Sequence, residues 1–273
     1  MVVSFNYKLI DNRELEIPFV NRAFKYGDGL FESIMFKNDS ICYLSDHIKR
    51  LKKGMTALRF EGVDGIKKDI IEHQIWELVK RNHVQEGGGR IKIQVWRKDG
   101  GLYIPDNYHF NLFISIDKTY AKPQSKRHLK NVDFSTNVTI FPTNYSRFKT
   151  CNSLPYVMAG IEKQHRGLDE VILLDHKGNI SECSSSNIFW VKKNKVFTPK
   201  LSTGCIAGVA RKNIIKKLRK EGVLVTKTKS KGAELLNADS VFISNVSSIK
   251  HINAIKNKKF STWNLIDEIL EKK

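Results

Sequence analysis

The stretch Asp169-Glu-Val-Ile-Leu-Leu-Asp-His-Lys-Gly-Asn-Ile-Ser-Glu-Cys-Ser-Ser-Ser-Asn-Ile-Phe-Trp190 carries the fold signal of this chain. Val171-Ile-Leu-Leu-Asp175 reads as a strand, and His176-Lys-Gly-Asn179 supplies the turn that ends it. Ile188 to Val191 reads as a second apolar strand. Between the two lies a small polar run, Glu182-Cys-Ser-Ser-Ser-Asn187. A hydroxyl-rich turn accounts for this run. So does a polar ligand site, in which one carboxylate, several hydroxyls and an amide face a molecule inside otherwise apolar surroundings.

The same alternation of helix and strand continues on both sides. Toward the C-terminus come a strand at Val196 to Thr198, a helix near 209–221, the buried-type strand Val241-Phe-Ile-Ser244 and a closing helix from Trp263 to Leu270. Toward the N-terminus a helix is expected at about 152–166. Before it, Lys118 to Lys130 is polar, contains Pro123 and lacks apolar periodicity, which marks a linker.

Residues 1–118 read as strands with one or two helices. Ser33-Ile-Met-Phe36 and Ile41-Cys-Tyr-Leu44 flank Lys37-Asn-Asp-Ser40 as a hairpin. Asp46 is a candidate N-cap for a helix with Ile48, Leu51, Met55 and Leu58 on one face, and Ile66 to Val79 repeats the helical spacing. Arg90 to Arg97 and His109 to Ile116 alternate as strands around Gly100-Gly101. Interleaved elements in both halves give an α/β (α+β) chain of two domains, 1–118 and 131–273, joined by a linker at 119–130.

At 273 residues the chain is long enough for two packed domains, and 41% hydrophobic with 27% charged residues is ordinary globular composition. No apolar run reaches the ~18 residues of a membrane span, and the charged N-terminus lacks a signal-peptide core, so a cytoplasmic location is expected. The four cysteines are far apart and without histidines at ligand spacing, which suggests free thiols and no metal site. The net charge of +19 is dispersed in patches no longer than a helix turn. Without clustered basic residues and aromatic platforms, nucleic acid is not the expected partner.

Four further features invite chemistry. Tyr26-Gly-Asp-Gly29 brackets an acid with glycines, as a tight turn does. Arg50 lies beside Leu51 and can aim a guanidinium inward. Ser202-Thr-Gly-Cys-Ile-Ala-Gly-Val-Ala-Arg211 opens a helix whose first amides favour a phosphate, and equally reads as a loop with a helix cap. Lys149, in Phe148-Lys-Thr-Cys-Asn152, is one lysine among many.

Taken in order, Asn21-Arg-Ala-Phe-Lys-Tyr-Gly-Asp-Gly-Leu-Phe-Glu32, His47-Ile-Lys-Arg-Leu51, Lys149-Thr-Cys-Asn152, Asp169 to Asp175 with Gly178 to Phe189, and Gly208-Val-Ala-Arg211 resemble the successive motifs of the class IV aminotransferases, the fold type IV pyridoxal-phosphate enzymes. The resemblance covers nearly the whole chain. It implies a small N-terminal α/β domain, a larger C-terminal pseudo-barrel domain and a homodimer. It implies that Lys149 carries pyridoxal 5'-phosphate and moves the substrate proton, and that Glu182 pairs with the pyridine nitrogen. Arg50, the amides of Val209 and Ala210, and the loop at Asn245 and Val246 would hold the phosphate. Ser185 and Ser186 would face the cofactor or substrate. Tyr26 would border the substrate, an amine or amino acid with a carboxylate for Arg90 or Arg97.

Within the family, Glu182-Cys183 through Trp190 and Arg97 followed by Gly100-Gly101 look closest to 4-amino-4-deoxychorismate lyases. Asn152-Ser153 departs from the Asn-Tyr of branched-chain aminotransferases, and the Arg-x-His trap of D-amino acid aminotransferases is missing. The chain departs from the lyases at Leu102, where they have an arginine. Transamination of branched-chain or D-amino acids is the alternative activity.

Overall fold

The computed structural model describes residues 1–84, 87–119 and 127–271. They form two compact units, residues 1–123 with 148–152, and residues 124–147 with 153–273. The expected linker falls largely on 120–126, outside the described residues.

The first unit is one sheet covered by helices. Its strands are β1 (Val2–Phe5), β2 (Lys8–Asp11), β3 (Gly29–Lys37), β4 (Ser40–Ile41), β5 (Gly89–Arg97) and β6 (Phe110–Lys118), ordered β2-β1-β6-β5-β3-β4. Its helices are α1 (Arg22–Tyr26), α2 (Leu44–Ala57) and α3 (Lys68–Arg81), one more than expected. Alternation along β3 and β5 puts Ile34, Phe36, Ile91, Ile93 and Val95 on one face, where Ile48, Leu51 and Met55 of α2 and Ile71, Ile75 and Leu78 of α3 join them in a single buried core. Each such side chain contributes roughly 1.5–3 kcal/mol by leaving water.

The hairpin at 33–44 forms, with Phe36 opposite Ile41, but its second strand is short. Tyr43 turns to φ 54° and α2 begins at Leu44, so Asp46 lies in the first turn of the helix and Tyr43 takes the cap position. A carboxylate there still meets the positive end of the helix dipole.

Residues 148–152 add to this sheet rather than to their sequence neighbours. Phe31 N donates to Lys149 O (2.8 Å), Cys151 N donates to Gly29 O (2.9 Å), and Leu30 bridges Thr150 in antiparallel sense. The lysine segment thus fills the stretch of β3 that β4 leaves unpaired.

In the second unit the strands are β7 (His128–Leu129), β8 (Val132–Ile140), β9 (Glu170–Asp175), β10 (Ile180–Cys183), β11 (Asn187–Lys192), β12 (Lys195–Pro199), β13 (Val225–Thr228), β14 (Ser240–Ser244), β15 (Ile249–Ile252), β16 (Ala254–Ile255) and β17 (Lys258–Lys259). They make two sheets, β10-β9-β8-β16-β17 and β13-β12-β11-β14-β15-β7. Ile172 and Ile180 of one sheet and Ile188, Trp190, Val241 and Ile243 of the other share a core. Helices α4 (Leu154–His165), α5 (Val209–Lys220), α6 (Gly232–Leu235) and α7 (Leu265–Glu271) complete the unit.

Strands β12 and β13 are parallel, and α5 is the crossover between them. Its apolar stripe, Ile214, Ile215 and Leu218, packs on Phe189, Val196, Val225 and Phe242. That packing fixes where the start of α5 points. Among the described residues no helix is long and apolar enough to cross a membrane.

Candidate active site

Each unit carries its own group of candidate residues. In the first unit, Lys149 and Cys151 stand on the face of β3 opposite the helices. The Lys149 ammonium lies 4.2 Å from the centroid of the Phe31 ring, and Lys92 Nζ is 5.6 Å from the same centroid. Gln94 Nε2 donates to Cys151 Sγ (3.7 Å). Burial pushes the Cys151 thiol up to about 11 against the opposing charge of Lys92, so it stays a neutral thiol at neutral pH. Gly29 makes this packing possible: a Cβ there would stand 2.6 Å from Val95 O and 3.0 Å from Cys151 Sγ.

Arg50 projects from α2 on the helix side of the sheet and meets Glu32, which occupies a core position of β3. Arg50 Nε donates to Glu32 Oε1 (2.7 Å) and Nη2 to Oε2 (2.5 Å), while His47 Nδ1 lies 2.7 Å from Oε2. Glu32 and His47 are each 1% exposed. Burial alone would raise the Glu32 pKa. The charge of Arg50 and the hydrogen bonds from His47 and Arg50 outweigh it and hold the carboxyl below its ordinary range. The guanidinium plane of Arg50 is therefore fixed from behind.

Arg97 is engaged elsewhere. Its Nε donates to Asp28 Oδ2 (3.0 Å) and its two Nη atoms donate to the carbonyls of Leu58 (2.7 Å) and Arg59 (3.3 Å). Arg22 shares Asp28 and also binds the carbonyls of Gly100, Gly101 and Leu102. Arg97 is thus a buried brace between Asp28 and the carbonyls of Leu58 and Arg59. The acid of Tyr26-Gly-Asp-Gly29 is the clamp for both arginines. Arg90 is exposed, and strand alternation puts it on the same face as Lys92 and Gln94. Tyr26 ends α1 and rests against Tyr103, with ring centroids 5.7 Å apart.

In the second unit the polar run between β10 and β11 is brought together with the start of α5. Glu182 is 5% exposed; it accepts from Tyr156 Oη (2.7 Å, to Oε1) and from the amide of Ile206 (3.3 Å to each oxygen). Asn187 Nδ2 donates to Ser244 O (2.8 Å), and Asn245 Nδ2 to Ser186 Oγ (3.3 Å). Ser186 is buried and Ser185 exposed, while Val246 follows Asn245 in the loop after β14.

Helix α5 begins at Val209 with Gly208 as N-cap and no side chain on its first amides. Those amides, Val209 and Ala210 among them, have no intrahelical acceptor, and with the helix dipole they favour an anion. A Cβ on Gly208 would fall 2.1 Å from Asn187 Oδ1, so only glycine lets the backbone pass there.

The sequence model described as Amino-transferase class IV matches residues 29–254, a span that includes Glu32, Arg50, Lys149, Glu182 and Gly208. The chain belongs to the class IV aminotransferases. Class IV aminotransferases use pyridoxal phosphate, and pyridoxal 5'-phosphate is the cofactor of this enzyme. The chain is 27% identical to a D-alanine aminotransferase of Bacillus licheniformis over 252 residues, 91% of this chain and 86% of that protein. It is 26% identical to an aminodeoxychorismate lyase of Vibrio harveyi over 253 residues, 90% of each. Its fold matches the branched-chain amino acid aminotransferase of Escherichia coli with a TM-score of 0.89 at 22% identity, covering 99% of this chain and 92% of that one. The T.th. branched-chain amino acid aminotransferase complexed with N-(5'-phosphopyridoxyl)-L-glutamate matches at 0.87, with 22% identity over 99% and 93% of the two chains.

Each unit offers residue types that suit part of the cofactor: in the first a lysine amine for an aldehyde, in the second a buried carboxylate for a ring nitrogen and an uncapped helix start for a phosphate. Gly208→Ala is expected to weaken pyridoxal phosphate binding roughly tenfold, because Asn187 or the first turn of α5 must move to admit the methyl group. Titration of the apoprotein with the cofactor measures it, and an unchanged affinity would exclude this helix start as the phosphate cradle.

Lys92 and Tyr156 escaped the sequence reading, and Glu32 and His47 were quoted in motifs without a role. Glu32 had a signal: an acid at a core position of an alternating strand needs a cationic partner, and His47 and Arg50 stand one helical turn apart.

Proposed function

We propose that this enzyme is a 4-amino-4-deoxychorismate lyase, releasing pyruvate and 4-aminobenzoate, and that it works as a cytoplasmic homodimer. Lys149 would hold the cofactor through its amine, and once the substrate amine displaces it, the freed lysine amine would remove the proton from the ring carbon that bears the substrate amino group. Bound pyridoxal phosphate supplies the electron sink for that carbon. Glu182 holds the proton on the pyridine nitrogen. Arg50, Val209, Ala210, Asn245 and Val246 bind the phosphate, Ser185 and Ser186 face the cofactor or substrate, and Tyr26 borders the substrate.

The observation that carries the choice of substrate is the basic face around Lys149, where Lys92 shares the Phe31 ring with the lysine and Arg90 follows two positions away. Lys92 near the reacting amine, and Arg90 farther along the same face of β5, suit a substrate with two carboxylates, and 4-amino-4-deoxychorismate has two. Departure of pyruvate leaves an aromatic ring, which makes the step favourable.

Transamination is the second reading, favoured by the likeness to the D-alanine aminotransferase. In that reading the same lysine returns the proton to the cofactor carbon and the amino group stays with the enzyme. Incubation with 4-amino-4-deoxychorismate, and separately with amino acid and keto acid pairs, divides the two. Pyruvate formed together with 4-aminobenzoate is the expected result; a new amino acid with no 4-aminobenzoate would replace the lyase with an aminotransferase.

A further inference from the structure

The carboxylate of Glu182 has a neighbour that the roles above leave without a task. Tyr156 lies in the first turns of α4, its ring against the small cluster of Val138, Ile140, Ala159, Val171 and Leu173. From there its hydroxyl reaches Glu182 Oε1 at 2.7 Å. Burial, and then the charge of Glu182, push the Tyr156 phenol far above its ordinary value. It therefore keeps its proton and can only donate toward the carboxylate.

A donor on a carboxylate does two things. It stabilises the ionised form, which makes the group a weaker base. It also ties down one oxygen and with it the plane of the group, here together with the Ile206 amide, 3.3 Å from each oxygen. When such a carboxylate faces a pyridine nitrogen, the shared proton has two places to sit. The weaker the base on the carboxylate side, the more completely the proton stays on nitrogen and the stronger the ring is as an electron acceptor.

We infer that Tyr156 is a positioning residue that keeps the proton on the pyridine nitrogen of the cofactor by holding Glu182 as a weakly basic, oriented carboxylate. The inference rests on Glu182 being the partner of that nitrogen. Tyr156 touches neither substrate nor cofactor in this role; it acts through Glu182.

Tyr156→Phe removes the one hydroxyl and keeps the ring that packs on Val138 and Leu173, so the fold is retained and a melting curve checks it. The holoprotein is prepared with pyridoxal 5'-phosphate isotope-labelled at the ring nitrogen, and the nitrogen resonance is read by NMR in the wild type, Tyr156→Phe and Glu182→Gln. The wild type should give a pyridinium shift and Tyr156→Phe a shift moved toward neutral pyridine. A resonance that moves in Glu182→Gln but stays at the wild-type position in Tyr156→Phe overturns the role of Tyr156 alone. One that stays in both variants overturns the pairing of Glu182 with the ring, and a neutral pyridine in the wild type overturns both.

Discussion

Lys149→Ala should abolish turnover, lowering kcat by about 10²- to 10⁴-fold or more, since the loss of a positioned base alone falls in that range. The covalent hold on the cofactor goes with it. The wild-type protein should be yellow, and borohydride should fix the cofactor to Lys149 as a stable adduct found by peptide mass analysis. In Lys149→Ala the adduct should be missing, and Lys92, whose ammonium lies over the same Phe31 ring, should not take its place. The substitution leaves the backbone pairing of Lys149 and Cys151 with β3 intact, because those bonds run through main-chain atoms. A folded variant with unchanged activity would therefore remove the lysine from the chemistry.

Why Lys149 could be named from sequence but not explained by it follows from how it is held. The elements that come from periodicity were legible: the alternation of β5 and β6, the helical stripe of Ile48, Leu51 and Met55, and the buried strand at 241–244. Each is a local pattern whose period matches its structure. The added pairing at 149–151 has no such pattern. Phe148-Lys-Thr-Cys-Asn152 lies along β3 because Gly29, over a hundred residues earlier, leaves room for Cys151, and because the start of β3 lacks a partner on that side. The short strands β15 to β17 were missed for the same reason, since their pairing is set by neighbours remote in the chain. Glu182 could be picked out as the carboxylate of a polar run and Gly208 as opening a helix start suited to a phosphate, while the pairing of Glu182 with a ring nitrogen came only from the family resemblance. Arg97 could not be placed, because strand alternation decides the face only once the register with Asp28 and the Leu58 carbonyl is known.

Glu32→Gln should cost about 3–5 kcal/mol of stability, the usual range for removing one partner of a buried ion pair. The amide nearly preserves shape, so the cost is that of leaving the Arg50 guanidinium and the His47 ring facing a neutral group in the core. Against a total of about 5–15 kcal/mol, such a loss is enough to unfold a marginal domain. The exposed pair of Lys68 and Glu72 provides the contrast. Its separation of 2.7 Å equals the Arg50 Nε to Glu32 Oε1 distance, but both side chains are solvent-exposed, at 49% and 38%. Glu72→Gln should change stability by no more than about 0.5 kcal/mol, because solvent screens the pair and holding it costs side-chain entropy. The pH dependence carries the sign of the effect. The folded pKa of Glu32 is depressed, so its contribution is fully present above the ordinary carboxylate value of about 4.3 and is lost as pH falls toward the folded pKa. Denaturant unfolding of wild type and Glu32→Gln should thus show the full gap at neutral pH and a narrowing gap in acid. A gap below about 1 kcal/mol at neutral pH would mean that desolvation of Glu32 already cancels its attraction for Arg50. Arg50 would then be placed by the packing of α2 alone.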